Sequence, residues 1–372
     1  MQLKDYFSNI DRENNKKFFS GIASNSKKVK KNFIFFAIKG NKEDGNKYIK
    51  AAIRKGAKVI VSNNKNLKKD KDIIFVYSNN VRKTLAEVLY KNIQYPKKLI
   101  AITGTNGKSS IADFYYQILD YNLKKVASIG TIGIKYNNIK NKLKNTTLDP
   151  IQLSSILRFL KKKKIDYVIL EASSHGLDQN RLDGLLFDIG IFTNLSHDHL
   201  DYHKSMKNYL KSKLYLFNKL VKKKGYVITD DQIPEKKKIE NVSIKRKLNL
   251  SLIFNERKGI KLNSHKFNDE KQILQLKFKN KIFNIVLDLI GKVQIKNVLM
   301  AILAAYKSGI KFEKIINVIS KLKPVEGRFE KVGKIKNNSR VILDYAHTPA
   351  ALELVLLNLK EQFPNNKISL VF

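Results

Sequence analysis

The chain has 372 residues, 73 of them lysine or arginine against 32 acidic ones, and no cysteine. That length suffices for two or three domains with cores of their own, while the missing cysteine excludes disulfides and thiolate zinc sites and fits a reducing, cytoplasmic setting. The net charge of +41 invites a nucleic-acid or membrane-surface reading, yet only nine of the basic residues are arginines, the side chain that base edges and bidentate phosphate contacts favour, and the lysines are spread over every segment, as in a solvated coat.

The first ten residues mix polar and apolar side chains, with no long apolar run or cleavable signal, so a soluble protein without membrane insertion is expected. Residues 1–95 alternate short apolar runs at 33–38, 58–61 and 73–76 with a helical stretch at 48–55, predicting a small α/β domain. Pro96 opens a second unit, 96–323, where apolar runs at 99–103, 167–171, 189–194 and 225–229 alternate with helical patterns, as in a mostly parallel sheet wrapped by helices. After Pro324 a third unit, 324–372, carries Gly327-Arg328, a strand over 340–344, a helix over 349–363 and an apolar run at 368–372 that reads as a buried parallel strand. Ligands in open α/β sheets bind beyond the carboxyl ends of strands, so a chain stopping on a strand is expected to be a fragment.

Residues 102–110 read Ile-Thr-Gly-Thr-Asn-Gly-Lys-Ser-Ser, between a strand-like run and a helical pattern. Glycines let backbone N–H groups turn toward an anion, the helix N-terminus adds its dipole, Lys108 supplies a point charge and Ser109 can ligate magnesium. The loop predicts a nucleoside triphosphate, although Gly104 and Gly107 are separated by two residues where the general P-loop has four.

Two further segments follow apolar strands. In 193–203, His197, His199 and Asp201 match the H-x-H-x-D start of dinuclear metallo-hydrolases, but Tyr202 stands where the next histidine belongs, and only His265 and His347 remain downstream. In 171–181, Glu171 is placed to hold magnesium, while Ser173, Ser174, Gln179 and Arg181 can grip a polar or phosphorylated ligand. A serine–histidine hydrolase is disfavoured there, because no G-x-S-x-G elbow exists and Ser174 and His175 are neighbours whose side chains diverge.

The order of the phosphate loop, Asn145-Thr146-Thr147, Glu171-x-Ser-Ser-His-Gly-Leu, Thr-Asn-Leu-Ser-x-Asp-His-Leu-Asp-Tyr-His, Gly327-Arg328 and Asp344-Tyr345-Ala346-His347-Thr348-Pro349 resembles the Mur ligase family over nearly the whole chain, and within it the members that add the third residue of the peptidoglycan stem peptide. The resemblance implies an α/β protein of three domains: a small N-terminal UDP-binding domain (1–95), a central P-loop ATPase domain with a mostly parallel sheet (96–323) and a truncated, Rossmann-like C-terminal domain (324–372). It implies an ATP- and Mg2+-dependent ligase, a cytoplasmic monomer, that joins an amino acid to UDP-N-acetylmuramoyl-L-alanyl-D-glutamate through an acyl phosphate. The family's amino-acid-selecting motif is absent from the chain, leaving meso-diaminopimelate and L-lysine both open. If the third domain is cut short, substrate and nucleotide are expected to bind without ligation.

The resemblance also implies roles. Gly104, Thr105, Asn106, Gly107, Lys108, Ser109 and Ser110 would hold the phosphates, with Asn297 and Arg328 on the nucleotide. Ser109 and Glu171 would hold one magnesium, and His199 with Lys213 a second. Lys213 falls where the family carries a lysine carbamylated by CO2, which turns a cation into a carboxylate that a metal can use; its spacing from His199 favours it over Lys211. With Lys108, Glu171, His199 and Lys213 as the catalytic set, Ser24, Ser26, Asn41, Lys42, Glu43, Asn145, Thr146, Thr147, Ser173, Gln179 and Arg181 match contacts to the muramoyl dipeptide. The chain departs from the family at Asn25 and Lys27, at Val293-Gln294 and at Ala350. A folylpolyglutamate-synthase-like ligase and a basic nucleic-acid-binding NTPase are the alternatives.

Overall fold

The computed structural model describes the chain except residues 1, 8–15, 41–42, 68–71, 92, 138, 144, 337–338 and 372. Two compact units emerge: Met1–Gln94 with Leu148–Phe159 and Asp178–Leu185, and Tyr95–Thr147 with Leu160–Leu177 and Leu186–Phe372.

The first unit is built on a four-stranded parallel sheet, Gly21–Ala23, Phe33–Phe36, Ala57–Ser62 and Ile74–Tyr77 in that spatial order. Both faces are covered, so its strands read as continuous apolar runs. Successive side chains point to opposite faces: Ile34, Phe36, Val59 and Val61 pack with Leu85, Val88 and Leu89 of the helix Val81–Tyr90, while Phe35 and Ile60 pack with Ile49 and Ala52 of Ile49–Arg54. The Asn80 side chain caps Val81–Tyr90 by accepting the Lys83 N–H.

The second unit carries an eleven-stranded sheet. Val126–Gly130, Tyr167–Glu171, Lys98–Thr103, Phe187–Phe192, Val221–Asp230 and Asn249–Ile253 lie side by side, all parallel. Gly259–Asn268 joins in parallel, and Lys271–Phe278 and Lys281–Leu287 extend that edge as antiparallel strands. Gly133–Tyr136 and Ile139–Asn141 extend the other edge, again antiparallel. In the register, Ile102 stands opposite Glu171 and Thr103 opposite Phe192. Three neighbouring strands therefore end level, and the loops that leave them converge. The helices Lys108–Tyr121 and Val293–Lys307 bury almost every apolar side chain into one core cluster with these strands, so the phosphate loop rises from a rigid base.

One expected strand is absent. Residues 368–371 pair with no strand among the described residues, and Val371 is 92% exposed; Phe372 lies outside the described residues. A strand needs a neighbour for its backbone N–H and C=O groups, and the strand Arg340–Leu343 pairs instead, antiparallel, with Glu330–Lys334 as a two-stranded sheet. Among the described residues no helix is long and apolar enough to cross a membrane.

Candidate active site

The phosphate loop needs its glycines for conformation and for space. Gly104 has φ +146° and Gly107 φ +85°, and a Cβ would stand 1.8 Å from Thr193 Oγ1 at the first and 2.6 Å from Asn297 Oδ1 at the second. The strap 193–196 holds the loop from one side. Asn194 accepts the Asn106 N–H on Oδ1 (3.0 Å) and the Thr105 N–H on its carbonyl (3.0 Å), and Thr193 Oγ1 donates to the Asn106 carbonyl at 2.7 Å. Lys108, the first residue of the helix, folds back so that Nζ donates to the carbonyls of Gly104 (3.0 Å) and Thr105 (2.6 Å). Burial pushes its pKa down, opposed by the Glu171 charge.

Glu171 ends its strand almost wholly buried, at 2% exposure. Its oxygens accept from Thr131, one from the backbone N–H (2.9 Å) and one from the hydroxyl (3.0 Å). Each carboxylate oxygen keeps further lone-pair capacity. Gly130 is again a steric requirement, since a Cβ would lie 2.2 Å from Glu171 Oε1. The Glu171 backbone carbonyl accepts from Thr147 Oγ1 (2.9 Å), which itself accepts the Ser173 N–H (2.8 Å); Thr146 Oγ1 lies 3.0 Å from Thr131 Oγ1, and Asn145 is exposed beside them.

Lys213 is 1% exposed, whereas Lys211 on the same helix, Met206–Tyr215, is exposed. Its Nζ donates to the Gly104 carbonyl at 2.6 Å and lies 4.2 Å from the centre of the Tyr209 ring. Burial first, and then the Lys108 cation, hold its pKa well below the ordinary lysine value, with Asp198 opposing them. His199 adopts φ +53°, unusual for a side chain with a Cβ. It is half-exposed, with its N–H on Asp198 Oδ1 (2.9 Å) and its ring 4.9 Å from that of His175.

Thr105, Asn106, Gly107, Lys108, Ser109, Ser110, Glu171 and Arg328 thus line one cleft, joined by Thr131. An adjoining, open cleft has Asn297, Arg328, Asp344 and Tyr345 in its wall. Asn297 donates from Nδ2 to Gln294 Oε1 (2.9 Å), and the Arg328 guanidinium stacks 4.7 Å over the Tyr345 ring.

Among the described residues no three His, Cys, Asp or Glu side chains are spaced to enclose a metal.

Ser24, Ser26, Glu43, Gln179 and Arg181 belong to the first unit, not to the unit holding the phosphate loop. Ser26 opens a 3-10 turn, Ser26–Lys28, capped by the Asn25 side chain, so that departure from the family block has a structural use. Glu43 accepts from the Tyr48 hydroxyl at 3.1 Å, and Gln179 Oε1 accepts from Arg181 Nε (3.1 Å) and Nη2 (2.7 Å). Asn41 and Lys42 lie outside the described residues.

Thr131, Thr193, Asn194, Asp198 and Tyr209 were assigned no role from sequence. The signal that could have found the first four is their position at or just past a strand end. Tyr209, whose hydroxyl lies 3.3 Å from Thr105 Oγ1, carries no such signal.

Three family models match this chain: the Mur ligase family catalytic domain over residues 19–97, the Mur ligase middle domain over 102–305 and the Mur ligase glutamate ligase domain over 327–372. The UDP-N-acetylmuramoyl-L-alanyl-D-glutamate--2,6-diaminopimelate ligase of Rickettsia typhi is 38% identical over 361 residues, spanning 95% of this chain and 72% of the relative. The chain belongs to the Mur ligase family. The Mur ligase of the same name from Wigglesworthia glossinidia brevipalpis is 36% identical over 370 residues, 93% of this chain and 72% of the relative. A solved structure of a ligase so named superposes with a TM-score of 0.83 at 25% identity, covering 97% of this chain and 74% of that one. The three-domain α/β Mur ligase fold expected from sequence is the fold found.

Proposed function

We propose that this protein uses ATP to join 2,6-diaminopimelate to UDP-N-acetylmuramoyl-L-alanyl-D-glutamate, an amide-forming step of peptidoglycan synthesis that serves cell-wall growth, shape and division. The observation that carries the reading is the cleft itself: a loop whose two glycines admit no side chain, a lysine at the helix start and a buried carboxylate at the next strand end, in a chain similar over 95% of its length to ligases of that name.

Moving a phosphoryl group onto a carboxylate depends on alignment and on neutralising charge. The residues present fit ATP and magnesium. Backbone N–H groups of 107–110, left free by the strap, and Lys108 would cradle the phosphates, Arg328 and Asn297 would hold the nucleotide, and Ser109 with Glu171 would hold a magnesium ion. Bound there, magnesium would offset the charge on the phosphate oxygens. Lys213 is the residue we assign to carbamylation: its depressed pKa favours the neutral amine, the form that attacks CO2, and the carbamate would give the site an anionic oxygen donor. Ser24, Ser26, Asn41, Lys42, Glu43, Asn145, Thr146, Thr147, Ser173, Gln179 and Arg181 are assigned to the muramoyl dipeptide. On this reading residues 1–95 serve the UDP substrate, 96–323 ATP, and 324–372 the amino acid, in a cytoplasmic monomer.

Incubation with ATP, Mg2+, the UDP-dipeptide and either diaminopimelate or lysine, followed by mass spectrometry, tests the substrate choice. Tripeptide formed with diaminopimelate supports it and overturns the expectation of binding without ligation. Product with lysine alone overturns it.

A further inference from the structure

The helix Lys108–Tyr121 starts at the phosphate loop, and nine residues further on Gln117 makes a paired contact that the chemistry of the cleft does not explain. Its Oε1 accepts the Lys323 N–H at 2.8 Å, and its Nε2 donates to the Lys323 carbonyl at 3.0 Å. The side-chain amide thus takes both backbone groups of one residue, as a neighbouring strand would. Gln117 is 7% exposed, so losing either bond strands a buried polar group. Asp113 fixes which way the amide faces. Its Oδ2 accepts the second Nε2 hydrogen at 2.7 Å, and its Oδ1 accepts from Lys135 Nζ, also at 2.7 Å. With the amide flipped, its oxygen would face the Asp113 carboxylate and its NH2 would face the Lys323 N–H, two repulsive contacts in place of attractive ones.

Lys323 precedes Pro324, and the chain then turns tightly. The Arg328 N–H donates to the Val325 carbonyl at 2.9 Å, and Val325 is buried at 1% exposure. The clamp thus fixes the stem of the turn that presents Arg328 to the phosphate cleft. There the guanidinium lies close enough to Lys108 to help depress its pKa. Gln117 lies roughly 13 Å along the helix axis from Lys108 at ~1.5 Å per residue, too far to touch a phosphate held by the loop. We propose that Gln117, oriented by Asp113, is a positioning residue for nucleotide binding that acts through Arg328. One helix then carries the phosphate cradle at its start and sets the opposing arginine from its middle. The inference rests on the nucleotide reading of the cleft.

The test is a double-mutant cycle on ATP affinity, measured by calorimetric titration in the presence of Mg2+. Gln117→Met keeps the volume and removes both bonds. Gln117→Glu keeps one acceptor but loses the donor and repels Asp113. Each is expected to weaken ATP binding about tenfold, as does Arg328→Ala, and each combined with Arg328→Ala should fall within about twofold of Arg328→Ala alone. A merely structural role predicts instead that the losses multiply, and that outcome, or unchanged affinity in both Gln117 variants with the wild type binding normally, overturns the proposal. Thermal unfolding checks that each variant is folded. Should Gln117→Met not fold, Gln117→Glu and Asp113→Asn carry the same cycle. Failure of the wild type itself to bind ATP would refute the nucleotide reading and this inference with it.

Discussion

At the scale of single residues, one glycine and one buried lysine of the cleft make the sharpest predictions. Gly107 has both a left-handed φ and an Asn297 oxygen 2.6 Å from where a Cβ would be. Gly107→Ala should therefore destabilise the protein by about 2–4 kcal/mol and weaken ATP binding more than tenfold, as read by denaturant unfolding and titration; near-normal affinity would mean that the loop does not cradle phosphate. Lys213 makes a prediction in pH. The unfolded amine titrates near 10.5, while in the fold burial and Lys108 hold it well below that. Between the two pKa values the unfolded state binds a proton that the folded state does not, so this group's contribution to stability grows as pH rises toward 10.5. Lys213→Met removes that dependence. Its stability relative to wild type is expected to be greatest near neutrality and to shrink as pH rises, and a difference flat with pH would contradict the burial argument. From sequence, Lys213 and Lys211 differed only by spacing; burial of one and exposure of the other is a tertiary fact.

At the scale of elements, the cleft is the meeting of three strand ends, and the strap 193–196 does the aligning. Asn194→Ala removes the acceptor of the Asn106 N–H and should destabilise the protein by about 1–2 kcal/mol while weakening ATP binding. Ser205→Ala, which removes the cap of the helix carrying Lys213, should destabilise by about 1 kcal/mol with little change in ATP affinity. Equal effects of the two on affinity would place the strap outside the site. The parallel strands were legible because each is an apolar run followed by polar, ionisable residues. The run at 368–371 is apolar as well and pairs with no strand among the described residues, because a run of apolar residues does not specify a partner. The contact of Thr131 with Glu171 was invisible for a related reason: it spans 40 residues of sequence, and only the pairing of Val126–Gly130 with Tyr167–Glu171 makes them neighbours.

For the whole molecule, the +41 charge is the dominant field. Many described ion pairs are open to solvent, such as Lys281 with Glu313 at 70% and 58% exposure, so they stabilise little. Self-repulsion among unpaired lysines is the larger effect and is screened within about 10 Å at moderate salt. The melting temperature should therefore rise as salt is added, and a fall would show that ion pairs dominate. Part of the division into units was not legible. Residues 148–159 and 178–185 pack with the first unit although they lie far along the sequence in the second, and nothing local marks them.

The most direct test of the central claim is a calorimetric titration of the protein with UDP-N-acetylmuramoyl-L-alanyl-D-glutamate, alongside a pteroyl-glutamate and a short DNA duplex at moderate salt. Saturable binding of the muramoyl dipeptide, with none of the folate and only salt-sensitive, unsaturable binding of the duplex, is the predicted result. Tight folate or DNA binding without binding of the dipeptide, in protein shown to be folded, would contradict it.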